Sequence, residues 1–361
     1  MRGVGVIALI MAITGLAWLP QPVAHGSIQE AVQSDAAGES ETIYPVCRPD
    51  TPWNTSIFEP QSPPAHTIQG LAWLVLGITA GIFVIVEGLL VYSIIRYRRS
   101  KTDDGSDAVQ VYGSNPVELA WTIVPVIIVF TLALVTIRII REVELEEPPE
   151  GAMEVVVVGH QWWWEFRYPE LDIITANEMH VPVDRPIWLK LESADVIHSF
   201  WMPRLAGKTD VIPNHVNHTW FQAEAPGLYT GQCAEYCGNQ HANMLLRVYA
   251  HPQEDFEAWV VQQQEPPPAE DSVAAGRRVF QQYACMNCHA IEGTSVGTFG
   301  PDLTHLMSRD TIGAGVAENG RESLLAWVND PQQVKPGCNM PSLKLTRQEL
   351  HDVVDYLLTL K

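Results

Sequence analysis

A multidomain chain is expected: a two-helix transmembrane hairpin, then a small all-β sandwich, then an all-α C-terminal domain. Three observations predict it. Two almost wholly apolar runs, Leu71 to Ile95 and Val117 to Ile140, are each long enough to cross a bilayer. From Met153 the pattern changes to short β-type runs divided by turn signals such as Val183-Asp-Arg-Pro186 and Ala225-Pro-Gly227. Beyond a Pro-rich break, helical periodicity returns and the chain closes on a capping box, Thr346-Arg-Gln-Glu349. A length of 361 residues accommodates two or three such units.

In chain order, residues 1–26 read as a secretory signal: Arg2, an apolar core from Val4 to Trp18, and small residues around Ala24-His-Gly26. The alternative, an uncleaved membrane helix, is disfavoured by the short apolar run and by Pro20. Residues 27–66 carry Ser, Glu and Pro with little periodicity and form an exported segment. The two membrane helices occupy 67–141. Arg96, Arg98, Arg99 and Lys101 lie between them, whereas the second run leads into Glu142, Glu144, Glu146 and Glu147. The basic cluster belongs on the cytoplasmic side, so everything after Glu142 lies outside. Glu87 is an intramembrane carboxylate, which must face protein or water; structural packing is its plainer role. Glu118 stands at the cytoplasmic start of the second helix in Val117-Glu-Leu-Ala-Trp-Thr-Ile-Val-Pro125, and a solvated helix-end acid is the bland reading.

The net charge of −20 argues against nucleic acid as a partner, because phosphates would repel it. Residues 142–270 hold roughly 21 acids against 6 bases, and the chain from Asp271 onward is near neutral. An acidic middle attracts a basic protein or ions, although most of these residues serve as solvated surface.

The sandwich is placed at 142–261. Its expected strands are Met153–Val158, Trp162–Phe166, Ile187–Ser193, His218–Ala223 and Leu245–Ala250, in a small antiparallel sandwich or barrel. Three consecutive tryptophans, Trp162, Trp163 and Trp164, cannot all face one core on a strand, so at least one is expected to be exposed. A membrane-interface belt or packing over a site would account for them.

Within this domain Cys233-Ala-Glu-Tyr-Cys237-Gly-Asn-Gln-His241-Ala-Asn-Met244 gathers two thiols, an imidazole and a thioether, with His198 upstream on another segment. Such a ligand set selects copper over magnesium or calcium, and a tetrahedral zinc site has no need of Met244. Two thiolates four residues apart could bridge two copper ions. The competing reading is a plain Cys233–Cys237 disulfide in an exported protein. Soft ligands at this density weigh against it.

Residues 262–271, Gln-Gln-Gln-Glu-Pro-Pro-Pro-Ala-Glu-Asp, form a Pro-rich spacer before a domain at 272–361. There Cys285-Met-Asn-Cys288-His289 has the c-type haem pattern: two thioether cysteines and an iron-ligating histidine. A helix bearing Gly276 and Phe280 precedes it, and a helix with Leu350, Val353, Val354, Leu357 and Leu358 on one face closes the domain. Met340, before Pro341 in an irregular segment, is the expected sixth ligand, and His/Met ligation raises a haem potential. Met307 is the rival and reads as core. Copper and haem leave two of the six cysteines, Cys47 and Cys338, both outside the cytoplasm. A disulfide between them is one expectation and two unrelated cysteines the other.

Val196-Ile-His198-Ser-Phe-Trp together with Cys233 to Met244 resembles subunit II of haem-copper oxidases, with no part of the dicopper (CuA) pattern missing. The cytochrome-like tail extends the resemblance, over most of the chain, to the caa type, in which a class I cytochrome c domain is fused to a cupredoxin-like one. The resemblance implies CuA ligands His198, Cys233, Cys237, His241 and Met244, with the Glu235 backbone carbonyl. It also implies a magnesium ion shared with the catalytic subunit through the Glu235 carboxylate, and a proton-path entrance at Glu118. Gly159-His-Gln-Trp-Trp-Trp164 resembles the family's Gly-His-Gln-Trp-aromatic-Trp motif, which makes Trp162 the electron entry point. The implied role is to pass electrons from an external donor protein through haem c and CuA to subunit I, with subunit III beside it, where oxygen is reduced and protons are pumped. No catalytic residue is expected in this chain, which would sit in a bacterial cell membrane with both redox domains on the outer face. A CuA-bearing subunit of a nitric oxide reductase and a free-standing membrane-anchored carrier are the alternatives. A quinol oxidase role is disfavoured, since it dispenses with the copper ligands.

Overall fold

The computed structural model of the chain describes residues 54–98, 110, 112–267 and 271–361. The expected signal segment, residues 27–53, Arg99 and Lys101 lie outside them. Helix α1 (Pro63–Arg96) and helix α2 (Asn115–Val143) each begin with proline in the first turn, where the missing N–H costs nothing. Their apolar windows have mean hydropathies of 2.5 and 2.7 and are not buried by the rest of the chain, leaving them for lipid or neighbouring subunits. The helices run antiparallel: Thr67 at the start of α1 donates to Glu142 at the end of α2 (3.3 Å). This end is also tied to the next domain. The Trp220 indole donates to the Val143 carbonyl (3.0 Å), and the Ser62 hydroxyl accepts the Gln222 amide (3.0 Å).

Ten strands follow, β1 (Met153–His160), β2 (Trp163–Tyr168), β3 (Ile173–Ala176), β4 (Glu178–Pro182), β5 (Ile187–Ser193), β6 (His198–Trp201), β7 (Thr209–Val211), β8 (Asn217–Phe221), β9 (Gly227–Cys233) and β10 (Leu245–His251). They form two five-stranded sheets, β3-β2-β1-β5-β8 and β4-β10-β9-β6-β7. Inward residues such as Val155, Val157, Leu189, Leu191, Phe200 and Val248 make the core between them. Each such side chain contributes about 1.5–3 kcal/mol by leaving water.

Three sequence expectations are corrected here. The sandwich is not purely antiparallel, because β1 pairs with β5 and β4 with β10 in parallel. In both cases a long excursion of chain returns in the same direction, as parallel pairing requires. The tryptophans are all buried, with Trp162, Trp163 and Trp164 only 8%, 9% and 0% exposed. Trp162 lies in the turn before β2, which breaks the alternation, and Trp163, on the outer face, is packed against Ala314 of the C-terminal domain. Finally, the spacer begins later than expected. Residues 262–264 complete a helix, α3 (Gln253–Gln264), which buries Phe256, Trp259 and Gln263. Trp259 packs on Tyr168 and stacks on His180 of the sandwich.

The C-terminal domain consists of α4 (Ala274–Gln282), α5 (Cys285–Cys288), α6 (Arg321–Asn329), α7 (Pro331–Val334) and α8 (Arg347–Leu357), with two minimal β-ribbons. Helix α8 opens on the Thr346–Glu349 capping box and buries Leu350, Val353, Val354 and Leu357, the face its periodicity marks, together with Tyr356. Gly276 of α4 sits where α8 crosses: a Cβ there would lie 1.9 Å from the Asp352 carbonyl oxygen. Only glycine lets the two helices approach this closely.

Candidate metal centres

Strand β9 ends at Cys233, and β10 begins one residue after Met244. The connecting loop carries Cys237 and a single 3₁₀ turn over His241–Asn243. Pairing of β6 with β9, Phe200 opposite Cys233, brings His198 alongside that loop. Further backbone bonds pin it, from Cys233 N to Met244 O (3.0 Å) and from Ala234 N to Ser199 O (2.9 Å). The result is one cluster. The two sulfurs are 3.8 Å apart, Cys233 Sγ lies 4.0 Å from His198 Nδ1, and Cys237 Sγ lies 3.7 Å from His241 Nδ1 and 3.8 Å from Met244 Sδ. The Glu235 carbonyl oxygen is 3.2 Å from Cys233 Sγ, while the residue itself is exposed.

These separations fit metal ligation. Metal–sulfur bonds of about 2.3 Å and metal–nitrogen bonds of about 2.0 Å at tetrahedral angles place two sulfurs about 3.8 Å apart and sulfur about 3.5 Å from nitrogen. Among the described residues, His198, Cys233 and Cys237 form a buried three-ligand cluster of a kind that could hold an ion. The two thiols titrate as a pair: a hydrogen bond from Cys237 holds Cys233 below the ordinary thiol range, whereas the same neighbour and burial push Cys237 above it.

Asp195 orients His198. Its Oδ1 is 2.8 Å from His198 Nε2, which fixes the ring so that Nδ1 faces the sulfurs. Burial pulls the imidazole down, but the hydrogen bonds to Asp195 and Cys233 outweigh it and raise it. Asp195 is itself held below the usual carboxylate range: burial raises it, and bonds from His198 and from the amides of Val196 and Gln161 prevail. Asp195→Asn is expected to weaken copper binding by about 10–100-fold without loss of fold, measured by chelator competition.

The second centre is a cavity of about 440 Å³ in the C-terminal domain, lined by Cys285, Cys288, His289 and Met340. His289 Nδ1 donates to the Pro301 carbonyl (2.8 Å), leaving Nε2 for a metal. Burial, the largest influence, pulls this imidazole below its ordinary value, which favours the neutral, ligating form. Gly300 makes room for the ring, since a Cβ would lie 2.6 Å from it. Arg309 also lines the cavity, fully buried, with its Nε unpartnered and its outer nitrogen on the Asp302 carbonyl (2.6 Å). An orphaned guanidinium nitrogen in a largely apolar cavity, which Lys335 also lines, suits a planar group bearing carboxylates, as haem does. Met307 is not on this wall; it packs against the domain core. Cys338 lines the cavity as a free thiol, with Gln332 Nε2 3.4 Å from its sulfur, and Cys47 lies outside the described residues.

The two sites share a wall. Trp162 and Trp163 of the sandwich also line the haem-sized cavity. The Trp162 indole donates to the Cys237 carbonyl (3.0 Å), as does the Gln161 side chain (2.7 Å). Sequence reasoning missed Asp195, Gln161 and Arg309. Asp195, three residues before His198, was the one with a visible signal, a carboxylate placed to orient a ligating histidine. Glu118 lies exposed in the first turn of α2, where its Oε1 accepts the Ser114 amide (3.1 Å), and Glu87 is half-buried in α1.

Comparison with known families matches residues 50–139 to "Cytochrome C oxidase subunit II, transmembrane domain", residues 171–250 to "Cytochrome C oxidase subunit II, periplasmic domain", and residues 273–361 to "Cytochrome c". Cytochrome c oxidase subunit 2 of Alkalihalophilus pseudofirmus is 33% identical over 315 residues, covering 85% of this chain and 91% of that protein. Quinol oxidase subunit 2 of Bacillus subtilis is 33% identical over 221 residues, or 60% of this chain and 68% of that one. The crystal structure of the periplasmic domain of subunit II of cytochrome oxidase of Bradyrhizobium japonicum is 32% identical and covers 33% of this chain and 97% of its own, with a TM-score of 0.32.

Proposed function

Because the chain belongs to the cytochrome c oxidase subunit II family, as a membrane-anchored member with external domains and a fused cytochrome c domain, we propose that it relays electrons from an external donor protein to the catalytic subunit of a haem-copper oxidase. His198, Cys233, Cys237, His241, Met244 and the Glu235 carbonyl would hold a dinuclear copper centre. Cys285 and Cys288 would attach haem c, with His289 and Met340 as its axial ligands. When bound, the two groups supply one-electron exchange with no open position for oxygen or substrate. The observation that carries the reading is the shared wall: Trp162 reaches from the cavity that would hold haem to the carbonyl of Cys237.

The chain's residues divide the remaining work. Asp195 orients His198. The buried sandwich around the thiols excludes water and holds geometry constant, which favours rapid electron exchange. Glu235, exposed at the loop, would present its carboxylate to a magnesium ion shared with subunit I, and Glu118 would stand at a proton entrance on the cytoplasmic side of a bacterial membrane. Subunit III completes the proposed complex.

Purification of the complex tests it. A mixed-valence dicopper resonance, a low-spin c-type haem spectrum and oxygen uptake are expected. A copper-free preparation would overturn the reading, and nitric oxide uptake in place of oxygen uptake would move the chain to the other reductase class. Within the complex, Trp162→Phe removes the indole N–H bond to Cys237, worth about 0.5–1.5 kcal/mol. It is expected to slow single-turnover transfer from haem c to copper; an unchanged rate would take Trp162 off the route.

A further inference from the structure

Lys335 is the most deeply buried amine of the C-terminal domain, 3% exposed, and no acidic side chain among the described residues pairs with it. Instead its Nζ donates to three backbone carbonyls, Trp162 (2.8 Å), Asn243 (2.8 Å) and Gly313 (2.9 Å). Three acceptors match the three N–H groups of an ammonium, and they offset part of the burial that pulls this amine down to about 7. Two of these carbonyls belong to the sandwich and flank the copper loop: Trp162 touches Cys237, and Asn243 precedes Met244. The third belongs to the haem domain. Neighbours reinforce the junction, with Gln240 Nε2 on the Pro336 carbonyl (2.5 Å) and Asn339 Nδ2 on the Gln161 carbonyl (2.9 Å).

A second junction lies farther along the same face. The buried Glu178 carboxylate on β4 accepts the amides of Asp310 (2.9 Å) and Thr311 (2.8 Å) and the Thr311 hydroxyl (2.6 Å). Beside it Tyr249 donates to Asp310 (2.6 Å), and the Leu245 amide reaches the Ala314 carbonyl (3.3 Å). A flexible tether needs none of these bonds. One amine bonded to carbonyls of both domains holds all three bonds in only one relative pose, so Lys335 favours that pose over others.

We propose that Lys335 is a positioning residue, a clamp that fixes the haem domain on the copper loop with the haem cavity against Trp162 and Trp163. The haem domain is then a docked relay, and the external donor must deliver to its outer surface because Trp162 is covered. The inference rests on the haem-to-copper route proposed above.

The test uses the complete complex carrying Lys335→Met. Flash reduction of haem c should show transfer to copper slowed by at least about tenfold, the scale on which small misplacements affect geometry-dependent steps. Both optical and paramagnetic signatures should persist, and hydrogen exchange should quicken at residues 161–164 and 311–315. Transfer at the wild-type rate would overturn the clamp alone, whereas absence of transfer in the wild type would overturn both clamp and route. Should K335M lose a cofactor, hydrogen exchange of the wild-type complex decides. Slow exchange of the Leu245, Asp310 and Thr311 amides supports fixed docking, and exchange at exposed-loop rates refutes it.

Discussion

Cys237→Ser is expected to abolish the copper centre and, with it, oxygen uptake driven by the external donor. Cys237 is the hub of the cluster, with Cys233, His241 and Met244 all converging on its sulfur. A hydroxyl is a poor soft-metal ligand, so the loss should exceed the roughly 10–100-fold cost of disturbing an orienting residue. The haem spectrum should survive, because Cys285, Cys288, His289 and Met340 all lie outside this loop, and serine keeps the carbonyl that the Trp162 indole bonds. Copper content by metal analysis and the dicopper resonance measure the first effect; the reduced c-haem bands measure the second. Retained copper at full stoichiometry would remove Cys237 from the ligand set.

The second large effect is expected at Met340. Met340→Leu removes a thioether from the cavity wall, should abolish the low-spin His/Met spectrum and should lower the haem potential by an amount on the order of a hundred millivolts, within the roughly 0.8 V range that axial ligands command. Met307→Leu is the control. It exchanges one apolar side chain for another of similar volume against the domain core and should cost under about 1.5 kcal/mol with the spectrum unchanged. A redox titration of both variants separates the two methionines; a potential shift in the Met307 variant alone would reverse the assignment.

Much of this was legible because the relevant patterns are local. The Cys233 to Met244 ligands lie on one loop, the haem motif spans five residues, and the closing helix announces itself through a capping box and one apolar face. Strands with strong β-type runs, such as Ile187–Ser193, were found to the residue. The strands that escaped notice, β3, β4, β6, β7 and β9, are short or rich in polar and glycine residues, and their pairing is decided by partners far away in sequence. Trp163 shows the same limit. Alternation requires at least one of the three tryptophans to leave the core face, and Trp163 is that one, but the domain that covers it begins more than a hundred residues later. Lys335, likewise, is one of six lysines in the sequence, with nothing to set it apart until the fold gives it three carbonyls.

The shared wall between Trp162, Trp163 and the haem-sized cavity bears on how such a chain is built. A wall drawn from two domains is complete only after both have folded and met. The proposed covalent attachment at Cys285 and Cys288 would need the cavity open to an incoming planar group and to the machinery that joins it. Maturation should therefore run in a fixed order: attachment of haem while the tail is still apart, then closure onto the sandwich.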